Sequence, residues 1–180
     1  MRGHCILSHG FESGPDATKV TALAEVAGAC GWSHERPDYT DLDARREAGE
    51  LGDVAARLER LLGLARDAAA RGPLLLAGSS LGAWTSARVS RQVAVAGLFL
   101  MAPPVRMVDG GGREAPPMDA AEVPTSIVHG WRDELIAADG VFAWARERNA
   151  RLLLVDDDHR LSRHVQATAD AFAALLRGLG

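Results

Sequence analysis

Gly78-Ser79-Ser80-Leu81-Gly82 is the segment of this chain with the clearest chemical content. It joins an apolar run ending at Ala77 to a helix-forming stretch beginning at Leu81. Glycines two residues to either side of a serine are what a sharp strand-to-helix turn requires, and such a turn strains its central residue while projecting the side chain outward. A serine hydroxyl is a weak nucleophile at neutral pH, so Ser80 needs a base to take its proton and an acid to hold that base in the right tautomer. Later in the chain His159 in DDDHRL supplies the base and Asp133 in HGWRDEL the acid. The chemistry predicted is nucleophilic attack by Ser80, with His159 as general base and Asp133 as its orienting carboxylate.

Asp156, Asp157 and Asp158 compete for the acid's role because they lie directly before His159. Asp133 is preferred. Neighbouring residues in a loop direct their side chains apart, and an imidazole facing Ser80 leaves its Nδ1 side toward the loop after the preceding strand. Of the other histidines, His4, His34 and His129 fall on or at the ends of strands and are read as structural, and His164 is placed on the last helix facing solvent. Attack on a carbonyl also creates an oxyanion that needs backbone N–H donors. Leu81, next after the nucleophile, is one. Phe11 is the other, placed by the Ser8-His9-Gly10-Phe11 turn after the first strand, where an ordinary turn is the alternative reading.

The elements that must position these groups are short apolar runs alternating with amphipathic ones, the pattern of a parallel sheet covered by helices. Strands are predicted over His4–Ser8, Ser33–Arg36, Leu74–Ala77, Gly97–Ala102, Thr125–His129 and Leu152–Val155. Helices are predicted over Ala17–Cys30, about Glu50–Ala70, Leu81–Gln92, about Ala138–Asn149 and roughly Ser162–Leu176, with a polar loop over Pro37–Arg46. Pro103–Pro124, with Gly110-Gly111-Gly112 and five prolines, is read as a long loop, not a phosphate-binding one, because it lacks the Gly-Lys-Ser/Thr ending.

SHGF near the start, GSSLG after the third strand, HGWRDEL after the fifth and DHRL after the sixth make the chain resemble the α/β-hydrolase superfamily over nearly its whole length. It is most similar to small, lidless, single-domain bacterial esterase-like members. The resemblance implies a three-layer α/β/α sandwich with six parallel strands in the order 2-1-3-4-5-6. It also implies a nucleophile at Ser80, acid at Asp133, histidine at His159, oxyanion donors at Phe11 and Leu81, and elbow glycines at Gly78 and Gly82. No helical cap follows Ala102, which implies an open pocket for small carboxylic esters or thioesters. Phe11, Trp84, Met101 and Trp131 are candidates to line it, with ordinary core packing as the alternative. A catalytically silent interaction domain of the same fold is the other reading, disfavoured by the complete Ser, Asp and His set.

Length and composition agree with one domain over residues 1–180 and exclude several classes. A net charge of −4 and scattered arginines, with Lys19 the one lysine, give no nucleic-acid footprint. No run approaches the length of a membrane span and the N-terminus carries no signal-like apolar segment, so a cytoplasmic enzyme without membrane contact is expected. Cys5 and Cys30 form no metal-binding pattern and are read as buried, reduced thiols. No cofactor and no metal are expected, since no GxGxxG follows the first strand. Oligomeric state is not encoded in any of these features.

Overall fold

A computed structural model describes residues 1–107 and 116–179. Six parallel strands form one sheet in the order β2-β1-β3-β4-β5-β6. They are β1 (His4–Ser8), β2 (Ser33–Glu35), β3 (Leu74–Ser79), β4 (Gly97–Met101), β5 (Thr125–Gly130) and β6 (Arg151–Val155). The central strands are apolar at nearly every position because helices cover both faces, and β3 and β4 are buried end to end. On one face α1 (Thr18–Ala29) and a C-terminal helix (Val165–Gly178) pack around Leu7, Leu23, Phe99 and Phe172. On the other, helices Val54–Ala69, Leu81–Ser90 and Ala138–Glu147 enclose Ile6, Leu61, Leu98 and Val141.

The predicted strands, their order and the layer arrangement all match, and several boundaries move. The polar loop over Pro37–Arg46 contains a short helix, α2 (Thr40–Asp43), too brief to show periodicity. The next helix, α3 (Val54–Ala69), starts four residues later than predicted, where the Asp53 side chain accepts the Ala56 N–H and caps the first turn. The remaining helices are α4 (Leu81–Ser90), α5 (Ala138–Glu147) and α6 (Val165–Gly178). Trp84 and Met101, candidates for the pocket wall, are only 3% and 0% exposed and belong to the two apolar cores. Cys5 is buried, with its thiol pushed up to about 12 by burial and by Cys30, whereas Cys30 is half-buried; neither forms a disulfide. The β4–β5 connection carries no cap in its described parts, and the Gly110–Gly112 triplet lies outside the described residues. Among the described residues no helix is long and apolar enough to cross a membrane.

Two histidines sit inside this fold, fully buried: His9 after β1 and His129 near the end of β5. His9 Nε2 accepts the Tyr39 N–H at 3.0 Å, and Nδ1 lies 2.7 Å from the Gly10 carbonyl, so Nδ1 carries the proton. His129 Nε2–H donates to the Ile136 carbonyl at 3.0 Å. Burial pulls both below the ordinary imidazole value and outweighs the neighbouring carboxylates and carbonyls. Unfolded, each takes up a proton as pH falls through about 6.5, while the folded protein resists it. Their contribution to stability is therefore complete above that pH and is lost as pH drops toward the folded values, by at most about 1.4 kcal/mol per pH unit for each. In urea titrations at pH 7.5 and pH 5, the wild-type chain is expected to lose more stability than His129→Gln, whose amide still donates to Ile136. Equal losses would contradict this account.

Candidate active site

Ser80, Asp133 and His159 all lie in loops that follow the carboxyl ends of strands, after β3, β5 and β6 respectively. Ser80 stands between β3 and α4 with φ 53° and ψ −120°, a conformation that disfavours any side chain. Its own N–H donates to the Met101 carbonyl at 2.9 Å, and its carbonyl accepts the N–H groups of Ala83 and Trp84, so the turn is fixed on both sides. Gly78 and Gly82 are required by space. A Cβ on Gly78 would overlap the Gly82 carbonyl, and one on Gly82 would overlap the carbonyls of Ser8 and His9. The α4 N-terminus therefore seats directly on the end of β1.

Asp133 follows β5 in a turn that determines how its carboxylate points. Oδ1 accepts the N–H groups of Leu135 and Ile136, each at 2.9 Å, and leaves Oδ2 for the His159 ring at 2.7 Å. Burial alone would raise this carboxyl, but the hydrogen bonds from His159, Ile136 and Leu135 outweigh it and hold Asp133 below the ordinary carboxylate range. With His159 Nδ1–H donating to Asp133, Nε2 is left bare, 3.0 Å from Ser80 Oγ. The structure thus joins Asp133, His159 and Ser80 in one line of hydrogen bonds, the arrangement that lets a serine lose its proton while attacking. Ser80 is half-buried and 21% of the His159 side chain is exposed, so the line opens to solvent.

The three aspartates before His159 do different work from the one considered in the sequence. Asp157 is fully buried and anchors the loop: Oδ1 accepts the Asp158 N–H at 2.9 Å, and Oδ2 accepts the Arg163 N–H at 2.9 Å and His164 Nδ1–H at 3.0 Å. Its main-chain carbonyl takes the Arg132 N–H at 3.0 Å, tying the histidine loop to the loop of Asp133. Burial pushes the Asp157 carboxyl up, and these donors more than reverse it. His164, expected on a solvent-facing helix position, instead precedes α6 and is half-buried against Asp157. The signal in the sequence is the spacing of seven between Asp157 and His164. Lys19, in the first turn of α1, lies within the charge field of Asp133, Asp157 and Asp158, and burial draws its amine down to about 8.

Opposite His159, the turn after β1 comes up to the elbow. A Cβ on Gly10 would stand 3.4 Å from the Ser79 carbonyl and 3.5 Å from Ser80 Cβ, so Phe11 follows immediately after a close crossing of two segments of the chain. Leu81, as the first residue of α4, has an N–H with no acceptor within its helix. The neighbouring cavity, about 320 Å³, is lined by Glu12, Ser13, Thr40, Asp43, Ala44 and Arg46. A larger one of about 470 Å³ lies between α5 and β6 and touches none of these groups. Trp131 is 59% exposed on the loop before Asp133. Among the described residues no three His, Cys, Asp or Glu side chains gather at a metal-sized site.

Comparison with known proteins agrees with this geometry. No curated protein sequence matches the chain. A crystal structure of a protein described as a hydrolase of the alpha/beta superfamily, from Xanthomonas campestris pv. campestris, is 64% identical and superposes with a TM-score of 0.94 over 98% of this chain and 99% of that one. Est1E from Butyrivibrio proteoclasticus is 18% identical, with a TM-score of 0.76 over 98% and 88% of the two chains. The esterase Pf2001 from Pyrococcus furiosus is 15% identical, with a TM-score of 0.77 over 98% and 82%. These last two are alike in fold. Residues 2–176 match the family described as alpha/beta hydrolase domain, and the chain belongs to that family.

Proposed function

We propose that this protein is a serine hydrolase that cleaves small carboxylic esters, or thioesters, through an acyl-serine intermediate. The observation that carries the reading is the continuous line from Asp133 Oδ2 to His159 Nδ1 at 2.7 Å and from His159 Nε2 to Ser80 Oγ at 3.0 Å. In this mechanism Ser80 Oγ attacks the carbonyl carbon as its proton passes to His159 Nε2, and Asp133 stabilises the imidazolium. The tetrahedral oxyanion is held by the N–H groups of Phe11 and Leu81. Collapse breaks the bond to the leaving alcohol or thiol, which takes the proton from His159. Water then attacks the acyl carbon with His159 as base, releasing the acid and restoring Ser80.

Small substrates suit a site whose Ser80–His159 line opens to solvent and over which the described residues place no cap. The Pyrococcus furiosus protein of the same fold is named an esterase, which supports ester cleavage as the chemistry to test first. Two unpaired cysteines suit a reducing compartment, so we place the protein in the cytoplasm.

A fluorophosphonate is expected to modify Ser80 and leave Ser79 untouched, as mapped by peptide mass spectrometry. Ser80→Ala should lower kcat for a short-chain ester on the order of 10⁶-fold. Adduct on Ser79, or none on the folded protein, would remove the nucleophile assignment. Asp133→Asn is expected to keep the fold and lower kcat on the order of 10⁴-fold, by favouring the wrong imidazole tautomer. Asp158→Asn should cost far less, since the Asp158 side chain accepts the Arg160 N–H at 2.8 Å and not the His159 ring. Steady-state kinetics in the reverse order would show that the acid is not Asp133.

A further inference from the structure

We propose that Arg57 is a positioning residue for the oxyanion hole, acting through the carbonyls of His9 and Gly10 to aim the Phe11 N–H at the carbon attacked by Ser80. The proposal rests on the serine-hydrolase reading above and adds a residue to it from a distant helix.

Arg57 lies on α3 in the same row as Leu61 and Ala65, and it is buried with them, 1% exposed. Its Nη1 donates to Asp43 Oδ1 at 2.6 Å, and Asp43 is itself 5% exposed. An ion pair this deep contributes little net stability, because desolvating both charges offsets their attraction, and a leucine would fill the row as well. What the arginine does that a leucine cannot is donate further. Its Nη2 donates to the His9 carbonyl and lies 3.5 Å from the Gly10 carbonyl. The guanidinium rests 4.3 Å from the centre of the Tyr39 ring, and the Tyr39 hydroxyl shares a 3.2 Å hydrogen bond with Ser8 Oγ.

The other members of the cluster bind the same turn. His9 Nδ1–H donates to the Gly10 carbonyl at 2.7 Å, its orientation set by the Tyr39 N–H on Nε2. Asp43 Oδ2, the oxygen not facing Arg57, accepts the Glu12 N–H at 3.1 Å. The cluster therefore holds the carbonyls of residues 9 and 10 and the N–H of residue 12, and passes over the N–H of Phe11. In a trans peptide the C=O and the following N–H point in opposite directions. With the Gly10 carbonyl drawn back toward α3, the Phe11 N–H is sent the other way. The residue that carries this carbonyl already stands close to the nucleophile, since a Cβ on Gly10 would lie 3.5 Å from Ser80 Cβ. No water is needed to hold this peptide plane, so it is set before substrate arrives, which is the condition under which such a donor is most effective.

The test uses the full chain, 4-nitrophenyl acetate as substrate and phenylboronic acid as a tetrahedral analogue that fills the oxyanion hole. Arg57→Met strands the Asp43 carboxylate, so it is paired with the double variant Arg57→Met/Asp43→Asn, which leaves no buried charge and keeps an acceptor for the Glu12 N–H. Relative to wild type, the double variant is expected to lose 10²- to 10³-fold in kcat, with KM within about twofold. The inhibition constant for phenylboronic acid should rise by the same factor as kcat/KM falls, and Arg57→Lys, which retains a donor, should recover part of both. A folded double variant with wild-type kcat, or one whose kcat falls while boronate affinity stays unchanged, would overturn the proposal and leave Arg57 as packing. A wild-type protein that neither turns over the ester nor binds the boronate is a different result: it refutes the hydrolase reading, and this proposal with it.

Discussion

The seat of α4 on the end of β1 is the constraint around which the rest is arranged. Gly82 lies so close to the carbonyls of Ser8 and His9 that no side chain fits between them, and Gly78 is pressed as tightly against the Gly82 carbonyl. This close crossing brings the first strand's turn to the third strand's elbow, although the two are far apart in sequence. The donor side and the nucleophile side of the site are thus one contact. The β1–β3 pairing, in register from His4 opposite Leu74 to Ser8 opposite Gly78, delivers both turns at the same level. A shift of one residue in that register would part Phe11 from Ser80 even with every strand intact.

Electrostatics divides the site into two halves with different rules. On the β5–β6 side, charge is stabilised: Asp133 and Asp157 each collect several donors, and each orients one imidazole, His159 and His164 respectively. On the β1 side the buried charges are the Arg57–Asp43 pair, and the Nε2 of His9 beside it is committed to accepting the Tyr39 N–H. A proton on His9 would remove that acceptor and set an imidazolium beside a guanidinium. The two loops of the first half are further tied together by the Arg132 N–H on the Asp157 carbonyl and by Gly130, where a Cβ would overlap that same carbonyl.

What the sequence discloses is what local pattern controls. Leu74-Leu75-Leu76-Ala77 reads as a central strand because burial on both faces leaves no polar position, and the elbow reads from its two glycines. The choice of Asp133 over Asp158 follows from loop geometry on a parallel sheet and agrees with the 2.7 Å contact. The features that escape are those created by partners remote in the chain. An arginine on a helix is ordinarily taken as a solvent-facing charge, and Arg57 becomes legible as an inward residue only once Asp43 and the carbonyls of residues 9 and 10 are beside it. Its place in line with Leu61 and Ala65 was the one available hint. Four-residue α2, which carries Asp43, spans barely one turn, so its period never repeats. His164 escapes for a different reason: its partner Asp157 is near in the chain but is one of three successive aspartates, and nothing in that run tells which one is buried.

The backbone angle at Ser80 sets reactivity and durability against each other at a single position. A φ of 53° with ψ of −120° suits glycine and costs any other residue roughly 1–3 kcal/mol. Alanine there would discard the hydroxyl and keep the strain, whereas glycine would discard both. At this position the more heat-resistant residue is therefore one that gives up the nucleophile, and selection for thermal endurance alone would work against the serine at the elbow.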